Sequence, residues 1–132
     1  MKKILWAVVA LVLVGGISVY VWHYTTTPRA SVTRNLAVGD ADEVNGLKII
    51  LANVSQDSRC PAGVYCIQAG KLVANIRLIV GTQKKDTVIN SPGDPIKFAG
   101  YTVAIAVISP LKVASRTVNQ SEYRISFSIT KI

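Results

Sequence analysis

Tyr123-Arg124-Ile125-Ser126-Phe127-Ser128-Ile129-Thr130-Lys131, at the C-terminal end of the chain, decides the fold class. Tyr123, Ile125, Phe127 and Ile129 alternate with Arg124, Ser126, Ser128 and Thr130, so an extended backbone sends the apolar groups to one face and the polar ones to the other. The stretch reads as a half-buried strand, and the same period recurs upstream. Over Lys71–Val80, Leu72, Ala74, Ile76, Leu78 and Val80 share a face, while Val73 and Ile79 imply partial cover on the other. Leu47–Val54 and Tyr101–Ser109 are apolar on both faces, which predicts central strands. Asn45-Gly46 is a tight-turn signal entering the Leu47 strand, and Ser91-Pro92-Gly93-Asp94-Pro95 is a turn cluster. Asp86–Asn90 is expected to return beside Lys71–Val80 through a hairpin loop over Gly81–Lys85. No helical period appears after Ser31. The expected fold is therefore all-β, an antiparallel β-sandwich of immunoglobulin-like architecture over residues 35–132.

The N-terminus obeys a different rule. Met1-Lys2-Lys3 precedes nineteen uncharged, mostly apolar residues, Ile4–Trp22, which as a helix would reach roughly 28 Å, close to the thickness of a bilayer core. The run is longer than the apolar region of a cleaved export signal, about 7–15 residues, and Thr27-Pro28-Arg29-Ala30 makes a poor cleavage site. Trp6 at one end and Tyr20, Trp22 and Tyr24 at the other form an interfacial belt. Residues 4–24 are thus expected as a retained transmembrane signal-anchor helix, with residues 1–3 cytoplasmic. Residues 25–34 form a short polar linker, and the sandwich lies outside the cell membrane, periplasmic or extracellular. The lipid bilayer is the first expected partner. No cysteine stands directly after the apolar run, which excludes a lipid-modified anchor. His23, the single histidine, reads as an interfacial polar residue with no second metal ligand nearby.

The formal net charge of the 132-residue chain is +8, and beyond Pro28 the balance is 13 basic residues against 7 acidic. Such an excess favours anionic partners, an acidic envelope component among them. The basic residues are spaced out along the sequence, however, and read as a solvated surface. Nucleic acid is not an expected partner: of the aromatics past the linker, Tyr101, Tyr123 and Phe127 fall on inferred core faces, leaving Tyr65 and Phe98 to stack on bases.

Ser55–Gly70, SQDSRCPAGVYCIQAG, holds both cysteines, a proline and two glycines between two inferred strands. Asp57-Ser58-Arg59-Cys60-Pro61, followed after Ala62–Tyr65 by Cys66-Ile67-Gln68-Ala69-Gly70, resembles the DSRCP…CVWAG-type signature of a family of small exported bacterial β-proteins. Gly100-Tyr101, Ser109-Pro110 and Ser121-Glu122-Tyr123 resemble that family's closing pattern, so the likeness spans residues 47–132. Gln68 stands where the family usually carries Trp. The resemblance implies a β fold and an export route, and it brings no activity with it. In an exported chain with two cysteines in one short loop, Cys60 and Cys66 are expected to form a structural disulfide. A thiol oxidoreductase is the remote alternative, at a spacing wider than the usual C-x-x-C.

Asp57, Arg59, Tyr65 and Gln68 are the candidate contact residues of this loop. In one reading Arg59 donates to an anionic ligand with the Tyr65 ring beside it; in the other, Asp57 caps turn amides and Arg59 pairs with a carboxylate. Catalysis is not expected, since no histidine follows His23 to trade protons near neutral pH. No cofactor and no metal are expected either. Asp40, Asp42 and Glu43 in Gly39–Glu43 lack the glycine and distal glutamate of a calcium loop, and read as a solvated turn. Taken together, these features describe a membrane-anchored envelope protein whose sandwich is a recognition module. The alternative is a structural accessory subunit of a larger membrane complex.

Overall fold

Residues 30–132 are described by a computed structural model; the expected span over residues 4–24 lies outside them. In chain order the strands are β1 (Val32–Ala37), β2 (Ala41–Val44), β3 (Leu47–Asp57), β4 (Leu72–Val80), β5 (Gln83–Ser91), β6 (Ile96–Phe98), β7 (Tyr101–Ser109) and β8 (Arg124–Lys131), with a 3₁₀ turn at Gln120–Glu122. They pair as two four-stranded sheets, β1-β8-β7-β6 and β2-β3-β4-β5. Every pairing is antiparallel.

The alternation that identified the strands also builds the core. Ile125, Phe127 and Ile129 of β8 are buried, and from the other sheet Leu72, Ala74, Ile76 and Leu78 of β4 meet them in one cluster with Leu47, Ile49, Leu51 and Val54 of β3. No described buried side-chain nitrogen or oxygen lacks a hydrogen-bond partner. The Asn45-Gly46 turn closes the β2–β3 hairpin with φ of 52° and 91°, the left-handed pair that a two-residue hairpin requires and that Asn and Gly adopt at least cost.

Three expectations change. The β4–β5 loop is Gly81-Thr82 alone, because Val80 already pairs with Gln83. A two-residue turn with glycine first matches the twist of the flanking strands, so Gln83, Lys84 and Lys85 join β5. Only the start of the acidic stretch is a turn, in which the Asp40 amide donates to the Ala37 carbonyl at 3.0 Å; Ala41–Val44 is strand β2, held by pairing with Leu47–Ile50. Strand β1 also starts at Val32, inside the stretch expected as linker.

Leu47–Val54 and Tyr101–Ser109 do lie inside their sheets, as β3 and β7, but their two-faced apolar pattern has another cause than cover on both sides. The β3–β4 register shifts between Leu51 and Asn53 and again between Val54 and Gln56. Each bulge adds one residue and resets the alternation, so Val54 rather than Asn53 faces inward after Leu51. In β7 the shift falls between Ile105 and Val107; it turns Ile108 toward the core and leaves Val107 57% exposed.

The sandwich has two poles. At one lie the Asn45-Gly46, Gly81-Thr82 and Ala99-Gly100 turns, where the Tyr101 hydroxyl donates to the Asn45 carbonyl and the Ile132 amide to the Gly100 carbonyl at 2.7 Å. Val32 pairs with Ile129, so the chain enters at this N-terminal pole. At the other, the loop pole, Asp57 pairs with Leu72 and Ser109 with Arg124.

Among the described residues the buried core runs from Leu36 to Ile129 and the strand pairing from Val32 to Lys131. A fragment from Pro28 onward is therefore expected to fold without the N-terminal segment. Cooperative thermal unfolding and dispersed amide resonances would bear this out; a fragment without a melting transition would contradict it.

Candidate functional site

Two long connections form the loop pole: Ser58–Lys71 between β3 and β4, and Pro110–Tyr123 between β7 and β8. Their base is the Asp57 carboxylate. Strand β3 ends with Asp57 opposite the buried Leu72, which delivers the carboxylate to the rim of the core. Its Oδ1 accepts the Arg59 amide at 3.2 Å and Arg59 Nε at 2.9 Å. Oδ2 accepts Arg59 Nη2 at 2.8 Å and the Tyr123 hydroxyl at 2.9 Å. The side chains of Asp57 and Arg59 are only 9% and 15% exposed. A bidentate pair in so shielded a place fixes the loop's departure angle as well as its charge.

The same guanidinium reaches across to the second loop, donating Nη2 to the Pro110 carbonyl at 3.1 Å. Lys112 Nζ donates to the Asp57 carbonyl at 2.7 Å, and the Ala62 amide to the Lys112 carbonyl at 2.8 Å. Pro110 and Lys112 are thereby pinned on either side of Leu111. Next along, the Gln120 carboxamide accepts from the Val54 amide at 3.0 Å and donates to its carbonyl at 2.7 Å. It stands in for a neighbouring strand where β2 has already ended, and an open cleft of about 600 Å³ runs past it between Ser55–Asp57 and Lys112–Val118.

The first loop closes twice. Ser58 donates its amide to the Lys71 carbonyl at 2.8 Å, and its hydroxyl donates to that carbonyl and accepts from the Lys71 amide, both at 3.1 Å. This brings Gly70 so near that a Cβ on it would stand 1.6 Å from the Ser58 oxygen. Further out, Cys60 and Cys66 are joined in a disulfide with Cα atoms 6.0 Å apart, inside the ordinary range for a bridge.

Of the residues expected to make contacts, Asp57 and Arg59 come together facing inward, and the Arg59 guanidinium is occupied by Asp57 and Pro110. Tyr65 stands 95% exposed, and Gln68 is exposed nearby. Sequence reasoning missed Ile67 and Leu111, which are 97% and 76% exposed, and Val64 and Val113, each about half exposed. Val64 and Ile67, apolar residues bracketing Cys66 without a strand period, were the available signal; Leu111 gave none. Tyr123 and Lys112 were likewise missed as partners of Asp57. Asp40 and Asp42 serve the backbone, accepting the Ala37 and Glu43 amides at 3.1 and 2.8 Å. Among the described residues no three His, Cys, Asp or Glu side chains gather as a metal site.

Burial by itself would raise the Asp57 carboxyl, but the hydrogen bonds from Arg59 and Tyr123 outweigh it and hold the pKa at about 2. Burial and the Asp57 carboxylate push the Tyr123 hydroxyl up to about 12. No family model matches the chain, and neither a curated protein nor a solved structure matches it.

The pKa values define two pH limits. A depressed carboxyl stabilises the fold above its unfolded value of 3.8 and ceases to do so as the pH falls through about 2, a contribution on the order of 2 kcal/mol. A raised phenol stabilises below pH 10 and is lost as the pH rises through about 12. Urea midpoints should fall along both limbs, and Asp57→Asn should flatten the acid one while lowering stability at neutral pH. An unchanged acid limb in that variant would remove Asp57 from its assigned role. Gly70→Ala should cost about 3 kcal/mol, because backbone atoms and no flexible side chain occupy the space; a melting temperature equal to wild type would show that the loop base can yield.

Proposed function

We propose that this chain is a membrane-anchored envelope protein whose external sandwich, immunoglobulin-like in architecture, is a recognition module for another envelope protein. The observation that carries the reading is the exposure of Tyr65, Ile67 and Leu111 on two stapled loops. Scattered exposed apolar residues need no explanation, whereas a group of them at one pole suits a contact surface. Each is also held beside a fixed point: Tyr65 and Ile67 flank the bonded Cys66, and Leu111 sits between two pinned carbonyl and ammonium groups. Loops ordered before binding lose less entropy on association, so their burial converts more fully into affinity.

The contact residues in this reading are Tyr65, Ile67 and Leu111, with Gln68 beside them; Asp57 and Arg59 shape the loop from beneath. Residues 4–24 support the anchor, and the absence of histidine beyond His23 supports binding over catalysis. The accessory-subunit alternative finds less support, because edge strands β1 and β5 carry Arg34, Lys84, Lys85 and Asp86, and charged edges resist pairing with a foreign strand. A structural disulfide is preferred to a redox one: closing this loop should contribute roughly 2 kcal/mol.

Two experiments test the reading. In the full chain in native membranes, a photo-crosslinking side chain at position 65 should give a discrete protein adduct, weakened about tenfold or more by Ile67→Ser with Leu111→Ser. The same crosslinker at position 82, on the opposite pole, should not give that adduct; equal adducts from both would sink the proposal. Cys60→Ser with Cys66→Ser should lower the thermal midpoint and keep the fold. Unchanged stability with loss of a thiol-exchange activity would replace the structural disulfide with the redox reading.

A further inference from the structure

Lysines that the sequence spaces out are gathered by the fold at the N-terminal pole. Lys48 of β3 lies opposite Ile79 of β4, and Ile79 opposite Lys84 of β5, so both lysines stand in one row across the sheet with Lys85 next to it. In the second sheet Lys97 lies opposite Thr102 and Lys131 opposite Tyr101. The Tyr101 hydroxyl joins this edge to the Asn45 turn of the other sheet, so the two sets share one end. All five lysines are exposed, and Lys131 Nζ lies 5.7 Å from the centroid of the Tyr101 ring.

Most of this charge is unneutralised. Among the described residues no carboxylate comes within salt-bridge distance of any of the five. The acidic residues in the same rows are Glu43, across from Lys48, and Asp42, which Arg34 already pairs at 3.3 Å. Unpaired like charges repel, and an anionic surface relieves that repulsion.

The path of the chain says which surface. Val32 pairs with Ile129, two residues before Lys131, so the chain arrives among these lysines. In the anchored reading, residues 25–31 can span about 25 Å at most, which holds this pole close to the bilayer that residues 4–24 would cross. The loop pole lies roughly 26 Å away, along the eight residues of β8.

We propose that Lys48, Lys84, Lys85, Lys97 and Lys131 bind the anionic phospholipid headgroups of the membrane that carries the chain. The domain then stands upright, with Tyr65, Ile67 and Leu111 turned away from the bilayer toward a partner. The inference rests on the anchored reading above and adds the orientation to it. Each lysine at such a surface multiplies affinity roughly fivefold, so the five act as a face and no single one is indispensable.

The test uses the full chain in nanodiscs of phosphatidylcholine alone or mixed equally with phosphatidylglycerol, with lysines acylated by limiting reagent and read by mass spectrometry. A surface at about −30 mV concentrates protons roughly threefold, so labelling of Lys48, Lys84, Lys85 and Lys97 should fall at least about threefold in the anionic discs and recover in high salt. Lys71, at the loop pole and beyond the Debye length of about 10 Å, should not change. With Lys48→Gln, Lys84→Gln and Lys85→Gln combined, Lys97 should regain its reactivity. Equal labelling in both discs, or protection of Lys71 instead, overturns the proposal. Protection seen only after native membrane extract is added also overturns it, and assigns the pole to an acidic protein. Flotation with vesicles of each composition separates this result from the anchor. A chain that floats with both but labels evenly keeps the anchor and loses the lysine face. One that floats only with anionic vesicles and is released by salt keeps the face and loses the anchor.

Discussion

The Asp57 carboxylate is the point on which the loop pole depends. Strand β3 carries it to the rim of the core, where an ionised group is tolerable only if its lone pairs are occupied, and Arg59 and the Tyr123 hydroxyl occupy them. Those partners come from the first loop and from the last residue of the second, just before β8. One buried-edge charge therefore fixes two chain segments that a 66-residue separation keeps apart in sequence. Removing a single partner would leave the others with unsatisfied charge, which costs more than the pair itself contributes.

The two poles divide the work of the domain. At the loop pole Asp57, Arg59, Ser58 and Gln120 are spent on internal hydrogen bonds, and the side chains left facing water include the apolar Tyr65, Ile67 and Leu111. At the N-terminal pole the core residues end in short turns, and the side chains left facing water include five lysines that make no salt bridge. A sandwich of this kind presents unlike chemistry at its ends because strand residues near a turn need not cover the core. Short hairpins such as Gly81-Thr82 concentrate the effect, placing Lys84 and Lys85 on a rigid ladder where a five-residue loop would have left them free.

The strands were legible because alternation is a local property. Tyr123–Lys131 and Lys71–Val80 state their inner faces residue by residue, and the core uses those faces. Bulges are less legible: Val54 and Ile108 face inward only because one residue is left out of the ladder on the way to them. In sequence that phase change looks like a strand apolar on both sides. The site was legible in part. The loop announced itself by its cysteines and glycines, and Asp57 and Arg59 were visible as a pair, but Tyr123 reads there only as the start of a strand and Lys112 as a loop lysine.

By itself, the sequence determined the β class, the inward-facing residues of the regular strands, the Asn45-Gly46 turn and the place of the loop that carries the disulfide. Each of these depends on neighbours a few residues apart, through backbone period or turn chemistry. Only the tertiary structure decided that Arg59 is occupied from within, that Tyr65, Ile67 and Leu111 share a pole, and that five spaced lysines converge at the other. Those facts depend on which strands pair and in what register, and pairing brings together residues that no local pattern in the chain connects.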